Sequence, residues 1–396
     1  MSAAETAGAT LVWDWVEARR GAMLDDLVAY ASLETPSDDE ALLAAGLTWI
    51  EAWLGRVVGP AAARAEHPTP GYGVHVALDY PSATADPDAP WITALCHYDT
   101  VWSAGTIGEW PVTVDGDRIT GPGVFDMKAG LVQFAYALAA VDTLGLPRPG
   151  IRLLLNADEE VGSKGSRPVI EDTVTRSGGP VLVFESAAAG AVKTARKGVG
   201  LFDIAVAGVA VHAGLEPTAG ASAIDEAARV VLALHAATDI AAGTSLNVGV
   251  LHGGTRPNVK AASAALALDV RVSSAAEAAR IDQVLADLRA ANPLASITVT
   301  GGWNRPVMER TDATAALFAT ASGVAASMGV ALREVSVGGA SDGNFASALG
   351  FAVLDGIGAV GDGAHARHEW TSIDGMVERS TLAALLFAEL GAPAAG

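Results

Sequence analysis

In Trp91-Ile92-Thr93-Ala94-Leu95-Cys96-His97-Tyr98-Asp99 an apolar run ends abruptly in a histidine and an aspartate two residues apart. Six residues with no polar alternation predict a strand buried on both faces, as in sheets covered by helices. Similar runs occur at Ile151–Leu155, Pro180–Phe184 and Phe351–Leu354. Apolar positions at helical spacing lie between and after them, at Ala129–Leu144, Ser166–Thr175 and Ile373–Leu390. This alternation predicts an α/β fold, a mostly parallel sheet with helices on both faces. Upstream, Leu11 to Val28 and Leu42 to Leu54 read as two amphipathic helices, the second capped within Ser37-Asp38-Asp39-Glu40. A small hairpin is expected at Val112–Val114 and Asp117–Ile119, turning at Asp115-Gly116.

Between residues 197 and 305 the pattern changes. Strand (Val199–Val206), helix (Ala221–Ala236), strand (Leu246–Leu251), strand (Ala262–Val272), helix (Ala275–Ala291) and strand (Ser296–Val299) follow in turn. The order β-α-β-β-α-β is a ferredoxin-like plait. It predicts a domain of 197–305 inserted into a second one made of 1–196 and 306–396, which resumes with the helix Thr311–Met328.

The chain has 396 residues, 51% hydrophobic and 18% charged, enough for two cores and too apolar for a disordered chain. Its net charge of −20 argues against phosphate backbones and anionic lipid as partners. The single cysteine, Cys96, excludes an internal disulfide framework and cysteine-rich zinc modules. Met1–Thr10 has neither a basic nor an apolar leader segment, and Ala129–Val141 is short for a bilayer span and contains Gln133. The expectation is a soluble, cytoplasmic protein.

Ligands of open α/β sheets bind beyond the carboxyl ends of the strands. There the chain places His97 and Asp99, then Asp158-Glu159-Glu160, then Glu185, then a glycine-rich loop ending in His365-Ala-Arg-His368-Glu369. Asp126 stands just before the helix from Ala129. Imidazoles and carboxylates without thiolates suit Zn²⁺ or another first-row divalent ion. Two ions need one shared carboxylate and about two further ligands each. Asp126 serves as the bridge, His97 and Glu185 terminate one ion, and Glu160 and His365 the other. Asp99 then orients the His97 imidazole, and Glu159 is left as general base. Gly121-x-Gly123 does not extend to a dinucleotide fingerprint.

These stretches, with Val211-His212-Ala-Gly, Gly253-Gly-Thr-Arg-Pro-Asn258 and Ser341-Asp342-Gly-Asn-Phe345, resemble the di-zinc aminoacylase/carboxypeptidase family over essentially the whole chain. That family includes glutamate carboxypeptidase, acetylornithine deacetylase and succinyl-diaminopimelate desuccinylase, and the likeness is greatest to the glutamate carboxypeptidase branch. The resemblance implies the same metal ligands, with Glu159 as base and His365, by its spacing to Glu369, preferred to His368. It implies that 197–305 is a lid and dimerisation domain, that His212 reaches the substrate from the lid, in that family commonly from the partner subunit, and stabilises the oxyanion, and that Asn258 and Arg271 contact substrate. The turn at Gly338-Gly339 offers backbone N–H groups to a substrate carboxylate, with Lys193 and Arg196 as further positive charge. It further implies a homodimer with two Zn²⁺, Co²⁺ or Mn²⁺, and a small substrate with a free carboxylate. The reaction implied is carboxypeptidase or dipeptidase cleavage of an amide; the alternatives are N-acyl-amino-acid amidohydrolysis, cleavage of an ester or carbamate, or a non-catalytic metal-binding homologue. In one departure, the glutamate branch carries an arginine shortly before its Gly-Gly turn, where Ser336-Val337 stand here. Trp102, Trp110 and Trp303 are candidates for an apolar pocket or for core packing.

Overall fold

The structure is a computed structural model describing residues 3–82 and 89–392, so the first two residues of the N-terminal stretch lie outside it. The chain divides into two compact units, one of Met1–Ala195, Arg310–Val337 and Ser341–Gly396, the other of Arg196–Glu309 and Gly338–Ala340.

The larger unit is built on a six-stranded sheet in the order Ala63–Pro68, Val74–Tyr80, Ile151–Asn156, Trp91–His97, Gly178–Val183, Val353–Leu354. Trp91–His97 runs parallel to both neighbours, and Val353–Leu354 is parallel to Gly178–Val183. The pairings of Val74–Tyr80 on either side are antiparallel. Ile151–Asn156 is buried at every position, as an uninterrupted apolar strand between covering layers must be. Ala129–Thr143 supplies one layer and is buried from Ala129 to Val141. With the preceding turn it forms Val124–Thr143, long and apolar enough to cross a bilayer, which revises the shorter reading from sequence; nearly all of it is buried as a core helix. Gly130 permits this packing, because a Cβ there would lie 1.9 Å from the Phe184 carbonyl oxygen. Asp39 caps Glu40–Val57 by accepting from the N–H groups of Ala41 and Leu42.

The smaller unit is a four-stranded antiparallel sheet ordered Ser245–Gly253, Ser263–Val272, Gly198–Ala207, Ser296–Arg305. Alternate residues Phe202, Ile204 and Val206 join Leu266, Leu268 and Val270 in a core with Ala223–Ala236 and Ala275–Ala286. The observed order of elements is β-α-β-β-α-β.

The structure departs from the sequence expectations in several places. Phe351–Leu354 shortens to an edge strand of Val353 and Leu354. The helix expected over Ala275–Ala291 ends at Ala286, and the N–H groups of Ala291 and Asn292 go instead to the buried Glu226 carboxylate. The strands Ala63–Pro68 and Val74–Tyr80 were not foreseen; their residues carry a weaker apolar pattern.

Candidate metal centre

Strand register assembles the site. His97 pairs with Asn156, so the segments leaving these two strands emerge side by side. On the other flank Leu95 pairs with Val183, which carries Glu185 to the same end. A separate small sheet brings in the remaining loops: Trp370–Ser372 pairs antiparallel with both Arg118–Thr120 and Gly361–Asp362. The His365–Glu369 loop is thus set beside Gly121–Asp126.

Asp126 lies in an irregular turn, Val124–Lys128, with φ −121° and ψ 95°, rather than simply ahead of a helix. Its Oδ1 is 3.3 Å from His97 Nε2 and its Oδ2 is 3.4 Å from His365 Nε2. His97 Nε2 is also 3.4 Å from Glu185 Oε1, and His365 Nε2 is 3.0 Å from Glu160 Oε2. One carboxylate therefore presents an oxygen to each of two His–Glu pairs. Ligand atoms of His97, Asp126 and Glu160 all lie within 4.8 Å of one another, as do those of His97, Glu159 and Glu185. His365 reaches the site from a left-handed backbone conformation, φ 61°, uncommon for a residue with a Cβ. His365 and His368, its competitor from sequence, are both exposed, and it is His365 whose Nε2 meets Asp126 and Glu160.

Asp99 does more than orient an imidazole. The nearest acceptor to His97 Nδ1 is the Asp99 backbone carbonyl at 3.0 Å, with the side-chain Oδ1 at 3.4 Å. The carboxylate accepts from the N–H groups of Glu159 and Glu160, at 3.2 and 3.1 Å, and from Ser37 Oγ at 2.7 Å. The bound turn lets Glu160 point to Asp126 and His365 while Glu159 faces His97 and Glu185. Ser37 carried no sequence signal beyond its cap region. Asp342 brackets the same turn, accepting from Asn156 Nδ2 before it and Ser163 Oγ after it.

The electrostatics fit divalent cations. Burial and the neighbouring Asp126 carboxylate push Glu160 up to about 7, and its buried Oε1 finds no hydrogen-bond partner among the described residues. Burial alone would depress His97, but its bonds to Asp126, Asp99 and Glu185 hold it well above the usual imidazole range. Bonds to Asp126 and Glu160 push His365 up to about 11. Burial would raise Asp126, yet the His365 and His97 imidazoles hold it well below the usual carboxylate range. Four carboxylates converging on two imidazoles form a donor set that demands positive charge.

The sequence-predicted substrate residues lie in the smaller unit. His212 Nδ1 accepts from the N–H groups of Gly214 and Leu215, at 3.2 and 3.1 Å, which leaves the ring proton on Nε2. The Asn258 carbonyl accepts from Ala213 N, tying the two loops together. Arg271 makes a two-pronged pair with Asp269 at 2.8 and 2.9 Å. The Gly339 carbonyl accepts from Arg196 at 3.1 Å. Trp102 and Trp110, in the larger unit, meet edge to face with centroids 4.9 Å apart, while Trp303 packs on Phe202.

The model of peptidase family M20/M25/M40 matches residues 94–389, a span containing every one of the metal-site residues described. The chain belongs to that family. It is a metal-dependent hydrolase of the metallopeptidase type. Carboxypeptidase G2 of Pseudomonas sp. (strain RS-16) is 30% identical over 311 residues, covering 75% of this chain and 73% of that one. A tripeptidase from Staphylococcus aureus superposes with a TM-score of 0.77 at 19% identity, covering 94% of this chain and 98% of that one. A dinuclear metal-binding peptidase of the family from Bacillus subtilis does so with a TM-score of 0.69 at 15% identity, covering 95% and 99%. The last two likenesses establish the fold, an α/β domain with an inserted plait.

Proposed function

We propose that the protein is a dinuclear zinc amidohydrolase that cleaves an amide bond beside a free carboxylate, a carboxypeptidase or dipeptidase of the glutamate carboxypeptidase type. The observation that carries this reading is the split of the Asp126 carboxylate between His97 and His365, each with its own glutamate. His97 and Glu185 would hold one ion, Glu160 and His365 the other, and Asp126 both. Such ions polarise a scissile carbonyl and lower the pKa of water.

Glu159 takes the proton of the attacking water and returns it to the leaving nitrogen. Asp99 keeps that carboxylate in place through the backbone of Glu159 and Glu160. His212, with its proton on Nε2, donates to the developing oxyanion. Asn258, Arg271 and the turn at Gly339 bind the remainder of the substrate, including its carboxylate. The working form is a cytoplasmic homodimer.

The test is hydrolysis of dipeptides, N-acyl glutamates, N-acetyl amino acids and matching esters by the purified protein, with Zn²⁺ or Co²⁺ and with chelator. Chelator-sensitive release of the carboxyl-terminal amino acid from the amides is expected. A protein that carries two ions but cleaves none of the amides contradicts the substrate class, and faster cleavage of the N-acetyl amino acids than of dipeptides or N-acyl glutamates selects the aminoacylase alternative.

A further inference from the structure

Glu369 is completely buried, yet it is not among the carboxylates facing the two histidines. Its Oε1 accepts from the N–H groups of Phe125 and Asp126, at 2.9 and 3.0 Å. Its Oε2 accepts from Gly123 N and from the indole Nε1 of Trp102, both at 3.0 Å. An ionised carboxylate only accepts and has about four lone-pair sites, so four N–H donors saturate it. Three of these donors come from the backbone of the loop that carries the bridging carboxylate, and one is the backbone of Asp126 itself.

The residue also belongs to the loop that carries His365. Glu369 N donates to the Ala366 carbonyl, closing the turn, and Trp370 begins the strand that pairs with Arg118–Thr120. Gly123, one of the three backbone donors, has φ 74°, a conformation that favours glycine, and a Cβ there would lie 2.8 Å from Thr100 Cγ2. One side chain thus joins two ligand-bearing loops at backbone level.

We propose that Glu369 is a positioning residue of the metal centre, fixing the distance between Asp126 and His365 without itself touching an ion. Trp102 locks it from the far side, since its indole is the one side-chain donor of the four. The proposal rests on the metal-centre reading above. A glutamine at 369 would present an amide N–H₂ to two of the N–H groups, so half of the clamp must open.

The experiment measures Co²⁺ affinity and the visible absorption of the Co²⁺-loaded protein for the wild type, Glu369→Gln and Trp102→Phe, with circular dichroism to check folding. Outer partners of metal ligands are typically worth about 10–100-fold in affinity. Glu369→Gln is expected to fold, to bind at least one Co²⁺ about 10–100-fold more weakly with a shifted spectrum, and to lose kcat more than KM. Trp102→Phe, which leaves the three backbone bonds, should shift the spectrum in the same direction with a smaller loss of affinity than Glu369→Gln. A folded Glu369→Gln with wild-type affinity and spectrum overturns the proposal, even if it melts at a lower temperature. If Glu369→Gln does not fold, an unchanged spectrum and affinity in Trp102→Phe overturns it instead. A wild type that binds no Co²⁺ would overturn the metal-centre reading, and with it this inference.

Discussion

At the residue scale the assignment of roles rests on neighbouring side chains that diverge. Glu159 and Glu160 share a turn pinned by Asp99, and it is Glu160 whose carboxylate meets His365. Glu159→Gln should lower kcat by about 10²–10⁴-fold while metal content, measured by elemental analysis, stays at the wild-type value. The histidines make a second prediction. His365 is held up to about 11, so it carries a proton at neutral pH until an ion displaces it, and His97 is shifted in the same direction. Metal affinity should therefore rise with pH through neutrality. Calorimetry in buffers of different ionisation enthalpy should count at least one proton released per pair of ions at pH 7; none released would contradict the ligand set. In the metal-free protein the sign for stability is the reverse. The raised pKa of His365 contributes fully below about 6.5 and is lost as pH climbs through about 11.

At the scale of elements, close packing places the ligands. Ala129–Thr143 lies against the strand end that delivers Glu185, and Gly130 leaves no room for a methyl group beside the Phe184 carbonyl. Gly130→Ala should cost about 1–3 kcal/mol, read from thermal melts, and should weaken metal binding because Glu185 is the next residue. An unchanged melting temperature would contradict that packing. Asp39→Ala, removing the cap of Glu40–Val57, should cost about 1 kcal/mol without affecting metal content. The central strands were legible because uninterrupted apolar runs such as Ile151–Leu155 have one common use. The edge strand around His67 was not, since a half-exposed antiparallel strand alternates weakly, and its neighbour around His75 was missed with it. Candidate ligands could be read because each follows a strand or a glycine-rich turn. The clamps were hidden: Ser37 on Asp99 and Glu369 on Asp126 act across 62 and 243 residues of sequence, and no local pattern encodes such contacts.

At the scale of the molecule, the two units hold different sets of candidate residues. The larger one gathers His97, Asp126, Glu160, Glu185 and His365, and the smaller one holds His212 with its ring proton on Nε2. Under the proposed mechanism His212→Ala should lower kcat by about 10²–10³-fold with unchanged metal content, because it would remove an oxyanion donor and no ligand. Loss of the ions acts on the whole fold: converging carboxylates lose their counter-charge, so chelation should lower the melting temperature. Zn²⁺ at a hundred times its Kd should restore about 2.7 kcal/mol. The most direct test of the central claim is anomalous diffraction from crystals grown with Zn²⁺. Two peaks about 3.5–4 Å apart are predicted, one against His97 and Glu185, the other against Glu160 and His365, with Asp126 between them. A single peak, or peaks away from Asp126, would contradict it.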